Sequence, residues 1–437
     1  MIKDWPVVKL QEVCEQITVG HVGPMTKEYQ HDGVPFLRSR DIVPFGIDES
    51  DLKYISEEFH QKLKKSALKP SDVVIVRTGK PGTAAVVPCS LPRSNCSDLV
   101  IVRTGNSLDP RYLTYYLNSA ASHHIASVLV GAVQQHFNVG EAKRLKLPLP
   151  TIDEQRRIVR VLGRLDDKIE LNRKTARTLE ELAQRLFKNW FVDFGPVRAK
   201  MAGRQPAHMP PETAALFPDE FVDSALGPIP QGWEVKPIED IVTIKGGATP
   251  PTKQSEYWEG GTHHWATPKD LSGLEQKVLI DTDRKITSAG VEKISSGQLP
   301  AGTVLMSSRA PVGYLALADM PVSINQGFIA MICDRGVPNT YILHWAESSM
   351  DVIKSNAGGS TFAEISKKQF RPLETIVPPA AILKVYDELA GGWFERISLL
   401  AHENVILGKL RDRLLPKLIS GEIRIPEAHE GIEEAIT

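Results

Sequence analysis

Residues 151–192 read TIDEQRRIVRVLGRLDDKIELNRKTARTLEELAQRLFKNWFV, and this stretch decides the fold. Thr151 and Glu154 form a capping box directly after Pro150, so a hydroxyl and a carboxylate satisfy amides left free at a helix start. Ile158, Leu162, Leu165, Ile169, Asn172, Ala176, Leu179, Ala183, Leu186 and Trp190 follow at alternating steps of four and three. That spacing is a heptad seam with one polar member, and a seam requires a second helix to cover it. A helix over 151–192 would extend roughly 60 Å at about 1.5 Å per residue, too long for the inside of one compact domain.

The covering helix is found by self-comparison. Tyr386, Ala390, Trp393, Ile397, Leu400, Asn404, Leu407, Arg411, Leu414 and Leu418 repeat the seam 228 residues later, again with one Asn. Gly391, Gly392 and Pro416 are expected to bend or interrupt this second helix. The repeat also reaches upstream. Trp5-Pro-Val-Val-Lys-Leu10 matches Trp233-Glu-Val-Lys-Pro-Ile238, and Phe36-Leu-Arg38-Ser-Arg40-Asp41 matches Trp265-Ala-Thr267-Pro-Lys269-Asp270. The stretch Val73–Thr78 with Lys80 and Pro81 matches Thr303–Ser308 with Arg309 and Pro311, and Asn95 aligns with Asn325. Constant offsets imply two structural copies. Within each copy, short apolar runs such as Val73–Val76 and Leu99–Val102 predict buried strands, while Tyr112–Leu117 and Tyr341–Trp345 predict helices.

The expected order is therefore an α+β module over 1–150, a helix over 151–195, a Pro-rich connection over 196–232, a second module over 233–377, a helix over 378–425 and a tail over 426–437. The two helices would pair antiparallel as a coiled coil with an approximate two-fold axis. Duplex DNA shares that symmetry, and paired reading heads exploit it. Because the two modules differ in sequence, an asymmetric two-part DNA target follows as a hypothesis. A plain helical hairpin inside a core, or a helical scaffold that binds only protein, accounts for the seams without DNA.

Composition bounds the reading further. The 437 residues are 42% hydrophobic and 24% charged, as in soluble folds, and no apolar run is long enough to span a bilayer. Without a signal-peptide pattern at the start, a cytoplasmic protein is expected. Cys14, Cys89, Cys96 and Cys333 lack zinc-site spacing and read as reduced thiols, and neither His123-His124 nor His263-His264 has helical metal-ligand spacing. A formal net charge of −1, only slightly positive in the first half, restricts any DNA contact to a few placed Arg and Lys.

Signatures of catalysis are sparse. There is no GxxxxGK[ST] loop, no GxGxxG, and no Asn/Asp-Pro-Pro-aromatic motif of an amino-methyltransferase. Asp219, Glu234 and Lys236 form the one acid-plus-lysine pattern that a self-contained Mg-dependent nuclease would use, although the first copy has no acid there. Base reading uses Arg or Lys, Asn or Gln, and small hydroxyls. In the first module the repeat-matched turns offer Arg38, Ser39, Arg40, Arg77, Thr78, Lys80, Gln134, Gln135 and His136. In the second they offer Thr267, Lys269, Ser307, Ser308, Arg309, Asn325, Gln326 and Thr361. The positions match while the identities change.

Leu147-Pro-Leu-Pro150 with Glu154-Gln155-Arg156-Arg157-Ile158-Val159, the stretch Leu186–Phe194, and Leu226-Gly-Pro-Ile-Pro230-Gln-Gly-Trp233 resemble the specificity subunit of Type I restriction-modification systems, across essentially the whole chain. The resemblance implies two target-recognition domains on long paired helices, each reading one half of a split site on double-stranded DNA. It implies two modification (methyltransferase) subunits that use S-adenosylmethionine to methylate adenine, restriction subunits that use ATP and Mg, no cofactor or metal on this chain, no catalytic residue and no membrane. The second helix departs from the family pattern, with Ile382-Leu383 in place of a Glu-Gln pair, which puts identical docking of both modification subunits in doubt.

Overall fold

A computed structural model describes residues 5–119, 136–358, 363–423 and 425. Contacts divide the chain into one unit of residues 1–168 and 406–437 and another of residues 169–405, so each long helix contributes to both units.

Both units contain an α+β module closed in the same way. In the first, Val7–Lys9 pairs antiparallel with Lys146–Pro148; in the second, Glu234–Pro237 pairs with Glu374–Val377. The first and last strands of each module thus meet immediately before its long helix begins. The first module holds a four-stranded sheet in the order Ala84–Val86, Val73–Val76, Leu99–Thr104, Cys14–Val19. A second sheet contains Val34–Leu37 parallel to Ser94–Cys96. The second module repeats this plan: Val304–Ser308 lies between Phe328–Ile332 and Val312–Ala318, and His263–Ala266 runs parallel to Val322–Ile324. Strands Val73–Val76 and Val304–Ser308 are buried throughout, which explains the apolar runs Val73–Val76 and Val304–Met306. Register corrects one alignment: Asn95 lies opposite Phe36 and Ser323 opposite Trp265, so the counterpart of Asn95 is Ser323 and not Asn325.

The first long helix spans Ile152–Phe187 and continues through a π turn at Lys188–Val192. At its start the Glu154 amide donates to Thr151 Oγ1 at 3.4 Å. The second spans Ala380–Ser420, so Gly391, Gly392 and Pro416 do not interrupt it. Burial is the reason at the proline: Leu414, Leu415, Leu418 and Ile419 are all buried around Pro416, and their packing outweighs one lost backbone hydrogen bond.

Antiparallel pairing is visible inside each unit. In the second, Asn172 Nδ2 donates to Asn404 Oδ1 at 2.9 Å and to Glu403 Oε2 at 2.9 Å, while Trp190 and Tyr386 rings lie 6.3 Å apart. In the first, Arg411 Nη1 donates to Asp166 Oδ1 at 2.9 Å. The two polar members of the seam therefore satisfy each other, which fixes register because any slip would bury an unpaired amide. Ile158, Leu162, Leu165, Ile169, Ile397, Leu400, Leu407, Leu414 and Leu418 are buried, and Leu179, Leu186 and Trp393 are partly so.

The Pro-rich connection is folded. It contains helices Gly195–Met201 and Pro211–Ala215 and a strand pair, Phe221–Val222 with Ile229–Pro230. Phe194, Phe217, Trp190 and Trp233 share one core, with Trp190 and Phe217 rings 5.1 Å apart. Among the described residues no helix is long and apolar enough to cross a membrane.

Candidate nucleic-acid interface

The turn after Val34–Leu37 is organised by one carboxylate. Arg38 places Nε on Asp41 Oδ2 at 2.9 Å and Nη2 on Asp41 Oδ1 at 2.6 Å, and Nη2 also reaches the Asp51 carbonyl at 2.5 Å. Its Nε and Nη2 donors are engaged within the protein, which leaves Nη1 to present outward. Ser39 and Arg40 share the same short 3-10 turn, and Arg40 is exposed, 3.5 Å from the Asp51 carboxylate. Arg77 pairs with Asp98, and its carbonyl accepts the Phe137 amide at 3.1 Å. Thr78 and exposed Lys80 follow on a turn whose Gly79 and Gly82 have φ of +86° and +89°, values that disfavour side chains. His136 lies beside this turn with Nδ1 buried and unbonded among the described residues. Gln134 and Gln135 fall outside the described residues.

The second module reuses the turn with different chemistry. Thr267 donates through both its amide and Oγ1 to Asp270 Oδ2, each at 2.7 Å, where the first module has the Arg38–Asp41 fork. Lys269 is highly exposed and 3.5 Å from Asp283. Ser307 and Ser308, expected in a surface turn, lie inside the sheet because the strand runs two residues past its apolar stretch. Ser307 Oγ donates to the Pro311 carbonyl at 2.7 Å and accepts the Tyr314 amide at 2.8 Å, tying the hairpin rather than facing a duplex. Arg309 stands 3.9 Å from Glu364. Asn325 Oδ1 accepts the Gly327 amide at 2.8 Å, and exposed Gln326 accepts from Thr249 Oγ1 at 2.6 Å. Thr361 falls outside the described residues.

One arginine next to this turn is not among the candidates that the repeat points to. The guanidinium of Arg284 lies 3.6 Å from the centroid of the Trp258 ring and 5.3 Å from that of Trp265. Arg284 pairs in register with Trp265, just as Lys53 pairs with Phe36 in the first module. Aligning Lys53-Tyr-Ile55 with Arg284-Lys-Ile286 is the sequence signal that exposes it.

The acid-plus-lysine pattern does not assemble. Lys236 Nζ is 2.5 Å from Glu234 Oε2 on the module-closing strand, and among the described residues no group of three or more His, Cys, Asp or Glu is placed to hold a metal ion. His264 instead lies 3.2 Å from Asp281 Oδ1, and burial lowers its pKa below the ordinary histidine value against the pull of that carboxylate.

On the first unit's long helix, Arg156, Arg160 and Arg164 recur one turn apart and join Arg111 around an open groove of about 240 Å³. Arg111 Nη2 reaches Asp167 Oδ1 at 3.3 Å beside Gly163, where a Cβ would rest in ordinary contact with the guanidinium. The repeat-equivalent residues of the second helix are Lys384, Glu388 and Gly392, a face of different charge.

Two like α+β modules, each followed by a long helix that pairs antiparallel with the other, define a duplicated, helix-linked module protein. The model of the Type I restriction modification DNA specificity domain matches it twice, over residues 2–181 and 230–386. The chain belongs to this family and is a specificity subunit of the Type I restriction-modification kind. It is 29% identical over 320 residues to the Type I restriction enzyme HindI specificity subunit of Haemophilus influenzae, covering 64% of this chain and 69% of that protein. It is 26% identical to the MjaIX specificity subunit of Methanocaldococcus jannaschii, covering 97% and 95%. The crystal structure of a Type I restriction-modification S subunit from M. genitalium shares the fold, with a TM-score of 0.57 at 14% identity over 95% of this chain and 96% of that one.

Proposed function

We propose that this chain reads a bipartite, asymmetric site on double-stranded DNA, one half per module, and that it supplies recognition while partner subunits supply chemistry. The observation that carries the reading is the shared turn: Arg38 on Asp41 in one module, Thr267 on Asp270 in the other. One backbone device presents different hydrogen-bonding surfaces, as reading two different half-sites requires. Two modification subunits carrying S-adenosylmethionine dock on the chain and methylate adenine, and restriction subunits using ATP and Mg join them, in the cytoplasm. Because the arginine groove of the first helix has no like-charged counterpart on the second, the two modification subunits meet chemically different faces.

In this reading the helical pair is a ruler. Inserting one heptad into each helix, after Ala176 and after Leu400, keeps the seam and lengthens the pair by about 10 Å. The gap between half-sites should grow by about three base pairs at about 3.4 Å each. Mapping methylated adenines made by the assembled complex reads the gap directly. An unchanged gap from a folded variant would refute the ruler.

A further inference from the structure

We propose that Arg284 reads a guanine in the half-site of the second module, with its guanidinium held flat on Trp258 as a prepared fork; this rests on the DNA-reading function proposed above. The platform is rigid. Trp258 and Trp265 meet edge to face at 4.9 Å and 89°, the Trp258 indole N–H donates to the Pro251 carbonyl at 3.1 Å, and that of Trp265 donates to the Ala248 carbonyl at 3.2 Å. Both rings are therefore anchored before any ligand arrives. A guanidinium 3.6 Å from the centroid of such a ring is held by the electron-rich face while its N–H donors are not used up by that contact.

The donors are also free. Arg284 is exposed, and among the described residues its side chain has no carboxylate or other hydrogen-bond partner beyond the two rings. Neighbouring cations differ: Lys269 is 3.5 Å from Asp283, Lys285 is 3.5 Å from Asp281, and Arg309 is 3.9 Å from Glu364. The first module makes the contrast sharper. Lys53, at the same register position, is bound to Asp51 at 2.9 Å, and the Tyr29–Phe36 edge contact replaces the two tryptophans at 6.1 Å. One copy neutralises this position; the other leaves an unpaired planar cation.

Location completes the argument. Arg284 lies opposite Trp265, two residues before Thr267, and the adjoining Asp283 amide donates to Asp270 Oδ1 at 2.8 Å. Asp270 thus joins the segment bearing Arg284 to the turn bearing Thr267. A phosphate needs only a positive charge, which a mobile lysine supplies. A guanidinium locked in one plane matches the two acceptors on the major-groove edge of guanine, O6 and N7, and gains most from being rigid.

The test uses the complete complex with modification subunits and a library of sites randomised in the second half-site. Wild type should prefer guanine at one position there. Both Arg284→Lys and Arg284→Ala should lower that preference about 10- to 100-fold while leaving the first half-site unchanged. Trp258→Leu, which retains the arginine but loosens it, should weaken the same position alone. Full discrimination in Arg284→Lys would overturn the proposal in favour of a phosphate contact. Unchanged preference and affinity in Arg284→Ala would reduce the stack to a structural contact and overturn it too. Should wild type show no split preference, the DNA-reading function itself fails and takes this inference with it; wild-type reading with insensitive Arg284 variants sinks the inference alone.

Discussion

The two modules join their helices through the same helix but with opposite chemistry. In the first unit, Tyr112 donates to the Pro148 carbonyl, and one turn later Tyr115 donates to Asp166, which also holds Arg411; the Arg411 guanidinium covers the Phe45 ring at 4.4 Å. In the second, Tyr341 donates to the Ile376 carbonyl in the same way, but the residue one turn later is His344, packed 5.7 Å from Phe394 in the place of Asp166. Ala183 stands where Arg411 would be, and the space is taken by rings: Phe191 lies 5.0 Å from both Tyr341 and Tyr386. A duplicated scaffold conserves the backbone closure and lets the buried contacts diverge, one polar and one aromatic. The polar joint depends on a matched set of charges, whereas the aromatic joint depends on apolar area and shape.

The largest effect should come from breaking the aromatic joint. Phe191→Ala removes a buried ring that touches several others and should cost about 3–5 kcal/mol, lowering hydrogen-exchange protection in residues 233–358 before residues 5–119. Equal loss in both regions would show that the joints are not independent.

Acid should come next. Burial lowers the His344 pKa from 6.5 to about 4, with Nδ1 2.9 Å from both the Thr340 carbonyl and the Tyr386 hydroxyl. The unfolded chain takes up this proton first as pH falls, so stability is lost between about pH 6.5 and pH 4, by at most about 3 kcal/mol. Chemical denaturation across that window should show the loss in wild type and a flatter profile in His344→Phe. A profile unaltered by the substitution would place the acid sensitivity elsewhere.

The smallest effect should come from the polar joint. Arg411→Met removes one charged hydrogen bond to Asp166 while Tyr115 still donates to it, at a cost of about 2 kcal/mol. Adding Asp166→Leu should recover part of the loss, since two matched apolar groups are tolerated better than one unpaired charge. No recovery in the double variant would mean that Asp166 serves Tyr115 more than Arg411.

Much of this architecture was readable along the chain because helices and strands impress short periods on it. The seam over Ile158–Trp190, its echo over Tyr386–Leu418 and the paired module openings at Trp5 and Trp233 are local or evenly repeated signals. The candidate interface was readable only as a set of turns. Arg38 and Arg77 each pair with a carboxylate, Asp41 and Asp98, that the sequence does not announce; the second of these pairs spans 21 residues and leaves no periodic trace. Ser307 looked like a turn residue because polarity suggests exposure, while its hydroxyl is satisfied inside the hairpin.

Amino-acid order alone determined the duplication and the two long helices, since heptad spacing and constant offsets need no knowledge of distant contacts. Tertiary structure decided which cations remain available and which joint is polar or aromatic. Those outcomes depend on groups brought together from far along the chain, and the energy of a charge or a ring is set by whatever finally stands beside it.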